Sequence, residues 1–548
     1  MQPFSYPLND SLVAQARQIL RNETLASVVY RMLRDQARIL PVYRLSQHLG
    51  PQGSLFVGTD YVIPGFYTKQ GYQQYFSVQG TALVSEILRD NWVLGEGSDI
   101  SGMDLHRLKV ELEQLYFRDY ANLWGDAIGQ VALQPINDAG EGAEQLAGLT
   151  SAHSPVLQLL AQVREHTRFP TIAEGADDAG VVAQQLAEKG GKLAAFAVQQ
   201  APAALAKHLP DTARNALQRR FEPLHRLLDD NSGPAADLTP ALQAVNDLQL
   251  QLASLARASA PDQAAFDMAK ARMGSQRDAL SHLRTASGRL PRPVGTWFNV
   301  LAEDSWRLVL SDAYQFLNQR YQNELYSFYG KAISKRYPFS AHSASDVAIN
   351  DFREFFKTQG VVDRFFDNYM RPFFSGAPGN YRLRTIDGLS LPVSRVYLDQ
   401  MATAHVIRQS FFAENPDEPQ VQFKLEPYTL DPMVSRSEFR FGDRSMEYRH
   451  GPIVAASFKW PVDAEGGRTS LVLDKMVGRP IGIEKNSGPW SLFRLLDLMQ
   501  TEYLSGRDVL VLKADLGGLR ANYLLTSQRT PNPFDVGALR TFRMPVQL

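Results

Sequence analysis

Residues 421–426 read Val-Gln-Phe-Lys-Leu-Glu, so apolar and polar side chains alternate along the chain. A period of two places the apolar side chains on one face of a strand, and it differs from the three-to-four spacing of a helix. Further strand-like runs occur at 439–442, 453–458, 471–473, 509–512 and 523–525, with one helix predicted from 490 to about 503. Glu465-Gly466-Gly467 is a candidate hairpin turn. We therefore predict that residues 416–548 form a mostly β domain, like a β-sandwich, with one helix.

The sequence before residue 416 has helical spacing instead. Between Met103 and Gly125, leucine and tyrosine recur every three or four residues, which predicts a long amphipathic helix. Alanine, glutamine and leucine dominate the middle of the chain, and aromatic residues become dense after it. We expect a multidomain chain, α then β, with a mostly helical N-terminal and middle part. The predicted regions are a helical domain (1–169), an Ala/Gln-rich helical region (170–296), an aromatic-rich helical domain (297–415) and the β domain (416–548).

Local signals refine the helical part. Asn9 or Asp10 can cap a first helix, and a mobile loop is predicted at 172–190. A later helix is predicted from about 394 to 412, where Asn-Pro follows. Three phenylalanines within 352–356 have the spacing i, i+3, i+4. This spacing predicts core packing, and a groove for a partner is the alternative.

Composition excludes several classes of function. The chain has 44% hydrophobic residues, and Lys+Arg (57) balance Asp+Glu (58), whereas nucleic-acid binders usually carry a basic excess. Cysteine is absent, which excludes disulfides, thiolate zinc sites and cysteine nucleophiles but does not decide the compartment. No apolar stretch of about 18 residues occurs, so no membrane-spanning helix is predicted in this sequence. We therefore expect a globular protein that does not bind nucleic acid.

Motifs for catalysis, cofactors and metals are missing from the sequence. The ten histidines are scattered, and no two have the His-x-x-x-His spacing that places two imidazoles on one helical face. Gly190-Gly191-Lys192 is followed by leucine, so the hydroxyl that a phosphate loop uses for magnesium is absent. No Gly-x-Ser-x-Gly elbow occurs. We predict no catalytic residue, no cofactor and no metal, hence no enzyme, although carboxylates brought together by folding stay open.

Several blocks, in order, resemble the IcmF/TssM family of bacterial type VI secretion proteins. The most characteristic reads Arg-Tyr-Pro-Phe-Ser at 336–340, followed by Asp-Phe-Arg-Glu-Phe-Phe at 351–356. Other similar blocks lie at 62–72, 92–95, 116–124, 154–155, 345–346, 360–366, 488–497, 532–534 and 542–543. Each block alone is weak, but their joint occurrence in this order is specific. The resemblance covers nearly the whole chain and is weakest in the Ala/Gln-rich region.

The resemblance implies a non-enzymatic scaffold of the type VI secretion membrane complex. It implies a periplasmic location, as part of a protein anchored in the inner membrane by a segment outside this sequence. Three kinds of partner are implied: the outer-membrane lipoprotein TssJ at the C-terminal β region, the inner-membrane protein TssL through the membrane region, and further copies in a ring. The alternatives are a periplasmic hydrolase acting on the cell wall and a soluble helical adaptor.

Loops of the β domain are the predicted docking surface. Exposed aromatic and arginine residues are favoured as interface anchors, which directs attention to the turns between the predicted strands. The alternative is that Trp460 belongs to the core and that the loops are only solvated. The candidate partner-binding residues are Arg436, Asp443, Arg444, His450, Pro452, Trp460 and Pro461.

Overall fold

Helices come first in this protein and the long strands come last, in the order expected from the sequence. The computed structural model describes residues 24–89, 102–169, 212–462, 467–486, 488–527 and 530–548. The predicted helix after Asn9, the predicted loop at 172–190 and the turn residues Glu465-Gly466 lie outside the described residues.

The bounds of the elements are as follows. The α-helices are α1 (Leu25–Gln36), α2 (Ser77–Arg89), α3 (Gly102–Gly129), α4 (Ala139–Thr150), α5 (Pro155–Thr167), α6 (Thr212–His225), α7 (Thr239–Arg257), α8 (Pro261–Met273), α9 (Ala279–Ser287), α10 (Val294–Arg320), α11 (Ile349–Phe356), α12 (Val361–Phe365), α13 (Arg395–Phe411), α14 (Ser491–Leu496) and α15 (Gly537–Thr541). The strands are β1 (Phe56–Val57), β2 (Ala132–Leu133), β3 (Phe374–Ser375), β4 (Arg382–Leu383), β5 (Val421–Leu430), β6 (Val434–Phe441), β7 (Arg444–Tyr448), β8 (Ala456–Trp460), β9 (Thr469–Lys475), β10 (Ile481–Lys485), β11 (Gln500–Tyr503), β12 (Val509–Leu516) and β13 (Leu519–Ser527). Short 3-10 turns are Ala37–Ile39, Leu45–His48, Gly53–Leu55, Gly65–Tyr67 and Arg371–Phe373, and π-helical turns are Gly71–Phe76, Tyr321–Tyr326, Tyr329–Ile333 and Phe366–Met370.

The chain divides into two compact units. The first comprises the described residues within Met1–Arg257 and Arg277–Leu308, and the second comprises those within Ala258–Gln276 and Val309–Leu548. Helix α10 begins in the first unit and ends in the second, and α8 belongs to the second. The finer division into four regions stays a prediction.

Helix α3 provides the aromatic core of the first unit. Tyr116, Tyr120 and Trp124 are fully buried at four-residue spacing, the spacing from which this helix was predicted. The Tyr116 hydroxyl donates to the Phe66 carbonyl at 2.6 Å, and Trp124 Nε1 donates to the Tyr67 carbonyl at 2.8 Å. Because each polar tip has a backbone partner, these large rings are buried without an unpaired donor. The predicted long helix is confirmed.

The phenylalanines of α11 belong to the core of the second unit. Phe352, Phe355 and Phe356 are all buried, so the predicted core packing is confirmed. The ring of Phe542, from the C-terminal segment, lies 5.2 Å from that of Phe356 and 6.0 Å from that of Phe355. The last residues of the chain therefore complete a helical core that begins some 200 residues earlier in the sequence.

Two helix predictions differ in outcome. The helix predicted at 394–412 is α13, and the Ser394 hydroxyl caps it by accepting from the Tyr397 N–H at 3.4 Å. The helix predicted from 490 to about 503 ends early, because α14 stops at Leu496 and β11 follows. Strand β11 pairs with β12, and this ladder outweighs the local helical pattern.

The C-terminal strands form a sandwich of two antiparallel sheets. Their strand orders are β10-β9-β6-β7 and β11-β12-β13-β5-β8. Every second side chain of 421–425 is buried, as the alternation predicted. Phe439 and Phe458, from opposite sheets, lie 5.5 Å apart between ring centres, and the hydroxyls of Tyr523 and Ser437 form a hydrogen bond of 2.9 Å. The predicted β-sandwich-like fold is confirmed.

The β-sandwich and the aromatic helices share one core within the second unit. Trp490 is fully buried, its Nε1 donates to the Val347 carbonyl at 2.7 Å, and its ring lies 5.2 Å from that of Phe352. The change of period near residue 416 therefore marks a change of secondary structure inside one packed unit.

Candidate partner-binding surface

Six of the seven predicted partner-binding residues are divided between two opposite ends of the β-sandwich, and Arg436 lies within strand β6 between those ends. Strand β6 runs from Val434 at one end to Phe441 at the other, a span of about 23 Å at roughly 3.3 Å per residue. The β5–β6 turn, the β7–β8 loop and the β9–β10 turn meet at the first end, which we call the β5–β6 end. The β6–β7 turn and the last residue of β8 lie at the other, the β6–β7 end. The predicted residues do not form one patch.

Asp443 and Arg444 lie at the β6–β7 end, and both side chains are exposed. Gly442 begins this turn with a φ of 57°, a left-handed conformation that favours glycine, and its N–H donates to the Arg468 carbonyl at 3.0 Å. The backbone of this turn is therefore ordered, while the side chains of Asp443 and Arg444 are exposed to solvent. None of the described residues 440–445 is a large apolar residue with an exposed side chain.

Trp460 belongs to the core, so the expectation of an exposed aromatic anchor was wrong. Its side chain is 0% exposed, and its Nε1 donates to the Pro489 carbonyl at 2.9 Å. The rings of Trp490 and Phe493 lie 4.9 Å and 5.2 Å away. Burial of a large indole ring stabilises the folded protein when the ring N–H has a hydrogen-bond acceptor, and this explains why Trp460 lies in the core. Pro461 follows it and is half-buried.

Arg436 lies in the middle of β6, among acidic side chains. Its guanidinium pairs with Glu438, and it lies 3.5 Å from both a Glu447 and an Asp474 carboxylate oxygen. These carboxylates come from its own strand and from the strands on either side. Because its neighbours already balance its charge, Arg436 stabilises the sheet and offers no unpaired charge to a partner.

His450 and Pro452 are exposed at the β5–β6 end. His450 has a φ of 63°, and its Nε2–H donates to the Val434 carbonyl at 2.5 Å. This bond fastens the β7–β8 loop to the first residue of β6. The histidine therefore positions the loop, while the side chains that follow it in the loop point to solvent.

Apolar side chains at this end were missed by sequence reasoning. The exposed fraction is 59% for Met433, 50% for Ile453, 72% for Val454, 57% for Met476 and 83% for Val477. We call these residues the apolar tip. A signal was available, since methionine and valine at 476–477 stand in a turn with Gly and Pro, where polar residues are usual.

Two residues of the apolar tip had been assigned to a strand. Residues 453–458 were predicted as strand-like, but β8 begins only at Ala456. The ladder between β5 and β8 ends at the Leu425–Ala456 pair, and Pro427 has no N–H to donate to a further pair. Ile453 and Val454 therefore lie in the loop, where the strand ladder no longer orders them.

Two buried histidines outside the β-sandwich, His166 and His225, have shifted pKa values and structural roles. Burial lowers the pKa of His166 and of His225 to about 4, because the charged ring loses its hydration. His166 Nδ1 accepts from the Lys69 N–H at 3.1 Å, and His225 Nε2 lies 2.6 Å from the Thr167 hydroxyl. In the part of the chain that the structure describes, no cluster of three candidate ligands could hold a metal, and no helix is long and apolar enough to span a membrane.

A polar cleft of about 810 Å³ lies in the first unit, between α7 and α9. Its charged lining residues have both signs: Asp237 and Asp247 on one side, Arg277, His282 and Arg289 on the other. The two aspartates and Arg277 are exposed. Hydrated charges of this kind do not form the convergent, desolvated acid and base that hydrolysis requires.

Two family models match the chain, one at each end. Residues 2–168 match the family described as IcmF-related, intracellular multiplication and human macrophage-killing. Residues 423–529 match the type VI secretion protein IcmF C2-like domain, which coincides with the β-sandwich.

Similar proteins extend these matches. The type VI secretion system component TssM1 of Pseudomonas aeruginosa is 25% identical over 563 aligned positions, which cover 100% of this chain and 50% of that protein. The chain thus spans about half the length of this curated relative. A chain of a type VI secretion system membrane core complex matches with a TM-score of 0.68 and 20% identity, over 96% of this chain and 99% of that one. A second structure, a type VI membrane complex, matches with a TM-score of 0.62 and 20% identity, over 95% and 98%.

Proposed function

Because this chain belongs to the IcmF/TssM family, we propose that it is a periplasmic scaffold segment of a bacterial type VI secretion membrane complex. The observation that carries the proposal is the relation to TssM1, which extends over 100% of this chain. The family matches at both ends and the fold shared with membrane complex chains support it. The function is mechanical: the chain supplies length and attachment points between two membranes.

The second unit has the construction that a force-bearing part needs. The sandwich is joined to the helices by the buried Trp490 and by the ion pair between Arg494 and Asp346, whose side chains are 15% and 14% exposed. A force applied to the sandwich is therefore transmitted to the helices through these buried contacts, because they join the two directly. This arrangement suits an anchor better than a mobile binding module.

The proposed partners follow from the family. The β-sandwich binds the outer-membrane lipoprotein TssJ, the membrane region expected for the family binds TssL, and several copies assemble into a ring. These partners belong to the whole protein, of which this chain corresponds to about half in the TssM1 relative. We propose no catalytic role and no cofactor.

The test is a titration of the 548-residue chain with its cognate lipoprotein, prepared without the lipid anchor. We expect saturable binding with one lipoprotein per chain, and no release of soluble fragments from purified cell wall. Circular dichroism confirms that the chain is folded. A folded chain that does not bind the lipoprotein, or that degrades cell wall, would contradict the scaffold proposal.

Point variants are better controls here than a truncation after Pro416. Such a truncation removes Trp490 and Phe542, which cover the rings of Phe352 and Phe356, so the remaining helices would lose part of their core. If that truncated chain failed to bind the lipoprotein, unfolding of the helices would explain the result as well as removal of the binding domain would.

A further inference from the structure

The polar cleft between α7 and α9 has walls of opposite charge. Asp237 and Asp247 line one side, and Arg277, His282 and Arg289 line the other. All five side chains are exposed, and within the described ranges none of them has an ion pair or a side-chain hydrogen bond. Since no cation of one wall lies within 4.0 Å of a carboxylate of the other, the two walls do not neutralise each other. Their polar groups are therefore available to a ligand.

Short side chains keep the cleft open. Its lining residues recur every three or four positions along α7 and along α9, so one face of each helix contributes to it. Ala244, which is 3% exposed, and the similarly short Ser281 and Ala286 fill little of the space between the helices. The cleft has a volume of about 810 Å³, within the range of about 300–1,000 Å³ that ligand pockets occupy. A short peptide can enter a cleft of this size.

Packing of the two helices fixes the walls of the cleft. The inner face of α7 is buried through Val245 and Leu248, and that of α9 is buried through Leu280. Asp278 caps α9, because its carboxylate accepts from the Ser281 N–H at 3.0 Å. Since the walls are already ordered, little conformational entropy is lost when a ligand binds between them.

The lining residues indicate which kind of ligand fits the cleft. Asp237 and Asp247 repel an anionic ligand, and the arginines opposite them repel a cationic one. The apolar lining residues are all alanine or proline, so an apolar ligand buries little surface against them. A molecule that carries both ammonium and carboxylate groups has a counter-charge on each wall. The amide groups of a peptide also find hydrogen-bond partners in Gln243 and Thr285.

We propose that this cleft binds a short zwitterionic peptide, with its ammonium groups towards Asp237 and Asp247 and its carboxylates towards Arg277 and Arg289. Peptides with both groups occur in the periplasm as the stems of the bacterial cell wall, and the cell wall is therefore the proposed source. This choice of source rests on the proposed function, whereas the charge pattern of the cleft does not. A chain that holds such stems is fastened to the cell-wall layer between the two membranes. Because the charges of the cleft are hydrated, it binds the peptide without cutting it.

The first measurement is a calorimetric titration of the 548-residue chain with the tripeptide alanyl-γ-glutamyl-diaminopimelate. We expect saturable binding of one peptide per chain. Binding weakens as sodium chloride is added, because ions screen exposed charges. The chain also cosediments with purified cell wall, and the free tripeptide competes with this binding.

Variants of the two walls test the cleft itself. Asp247→Asn and Arg289→Gln each weaken binding by about fivefold or more, because each removes a charge-assisted contact to the ligand. Asp267→Asn on α8 and Arg257→Gln on α7 remove the same charges outside the cleft, and they change the dissociation constant by less than about twofold. All four side chains are exposed, so the midpoints of thermal unfolding stay close together and a loss of folding is recognised.

A modified ligand assigns each wall to its own group on the peptide. Acetylation of the peptide amino groups weakens binding to the unmodified chain, and Asp247→Asn then has no further effect. Arg289→Gln still weakens binding of the acetylated peptide, because this arginine contacts the carboxylates.

Several results would overturn the inference. If the folded chain binds its lipoprotein but not the tripeptide, the cleft is not a peptide site, while the scaffold proposal stands. A folded chain that binds neither contradicts the proposed function as well. Equal effects of the cleft variants and their controls would mean that the peptide is attracted without a defined site. Binding of the free tripeptide without cosedimentation with cell wall would exclude the cell wall as the source of the ligand.

Discussion

At the scale of single residues, Tyr337 shows how the second unit is joined. Two guanidinium groups pack against its ring, with the carbon of Arg494 4.0 Å and that of Arg540 5.0 Å from the ring centre, and its hydroxyl donates to Asp497 at 2.7 Å. Arg540 pairs with Asp497 at 2.6 Å, and Arg494 pairs with Asp346. Tyr337 belongs to the sequence block at 336–340 that most resembles the family, and its contacts are structural.

The ion pair of Arg494 gives a first prediction. Arg494→Met leaves the Asp346 carboxylate, which is 14% exposed, without its cation, and this lowers the free energy of unfolding by about 3–5 kcal/mol. Arg444→Met, at an exposed turn, is the matched control and changes stability by less than about 0.5 kcal/mol. Urea unfolding followed by tryptophan fluorescence measures both, and equal stabilities of the two variants would contradict the assignment.

The buried histidines give a prediction about pH. Because the pKa of His166 and of His225 is lowered to about 4 from 6.5, the unfolded chain takes up protons first as the pH falls. Stability is therefore highest above pH 6.5 and is lost as the pH falls from about 6.5 towards 4. Between pH 6.5 and 5 the loss is about 1–2 kcal/mol for each histidine.

Thermal unfolding of the first unit, recorded at several pH values, measures this effect. His225→Gln keeps a hydrogen-bond donor near the Thr167 hydroxyl but does not titrate, so its stability changes less across this range. A wild-type chain whose stability is constant from pH 6.5 to 5 would show that these rings are not buried in the neutral state.

At the scale of elements, periodicity predicted those helices and strands that bury one regular face. The alternation at 421–426 predicted β5 and the three-to-four spacing predicted α3, because each element buries one face against a core. The Asn-Pro stop signal after residue 412 predicted α13. The strand β11 was missed, since its pairing with β12 is a tertiary interaction with no local signal. The start of β8 was misplaced for the same reason, because the ladder with β5 stops where its partner does.

The C-terminal segment gives a prediction at this scale. Phe542 is 1% exposed among the rings of Phe339, Phe355 and Phe356, so Phe542→Ala removes about 3–5 kcal/mol from the second unit. Val546 is 61% exposed, and Val546→Ala serves as a control with a change below about 0.5 kcal/mol. Urea unfolding compares the two, and similar midpoints for both variants would mean that this segment is not packed on the helices.

At the scale of the whole molecule, the sequence predicted the family and the order α then β, but not the exposed apolar tip. The blocks that resemble the family are distributed along the chain, so they can be recognised without knowing the fold. The apolar tip is assembled from connections that lie far apart in sequence, 431–433, 449–455 and 476–480. Which loops meet depends on strand order, so the predicted residues were divided between two ends of the sandwich and the apolar tip was missed.

The most direct test of the scaffold account is photocrosslinking in living cells that produce the full-length protein. The photoreactive residue p-benzoylphenylalanine is placed at position 477, in the apolar tip, and in a parallel strain at position 504, at the opposite end of the sandwich. Illumination is predicted to give an adduct with the outer-membrane lipoprotein from at least one of the two positions, because the proposed function places this partner on the β-sandwich. An assembled, secreting complex that gives no lipoprotein adduct from either position would contradict docking on the β-sandwich.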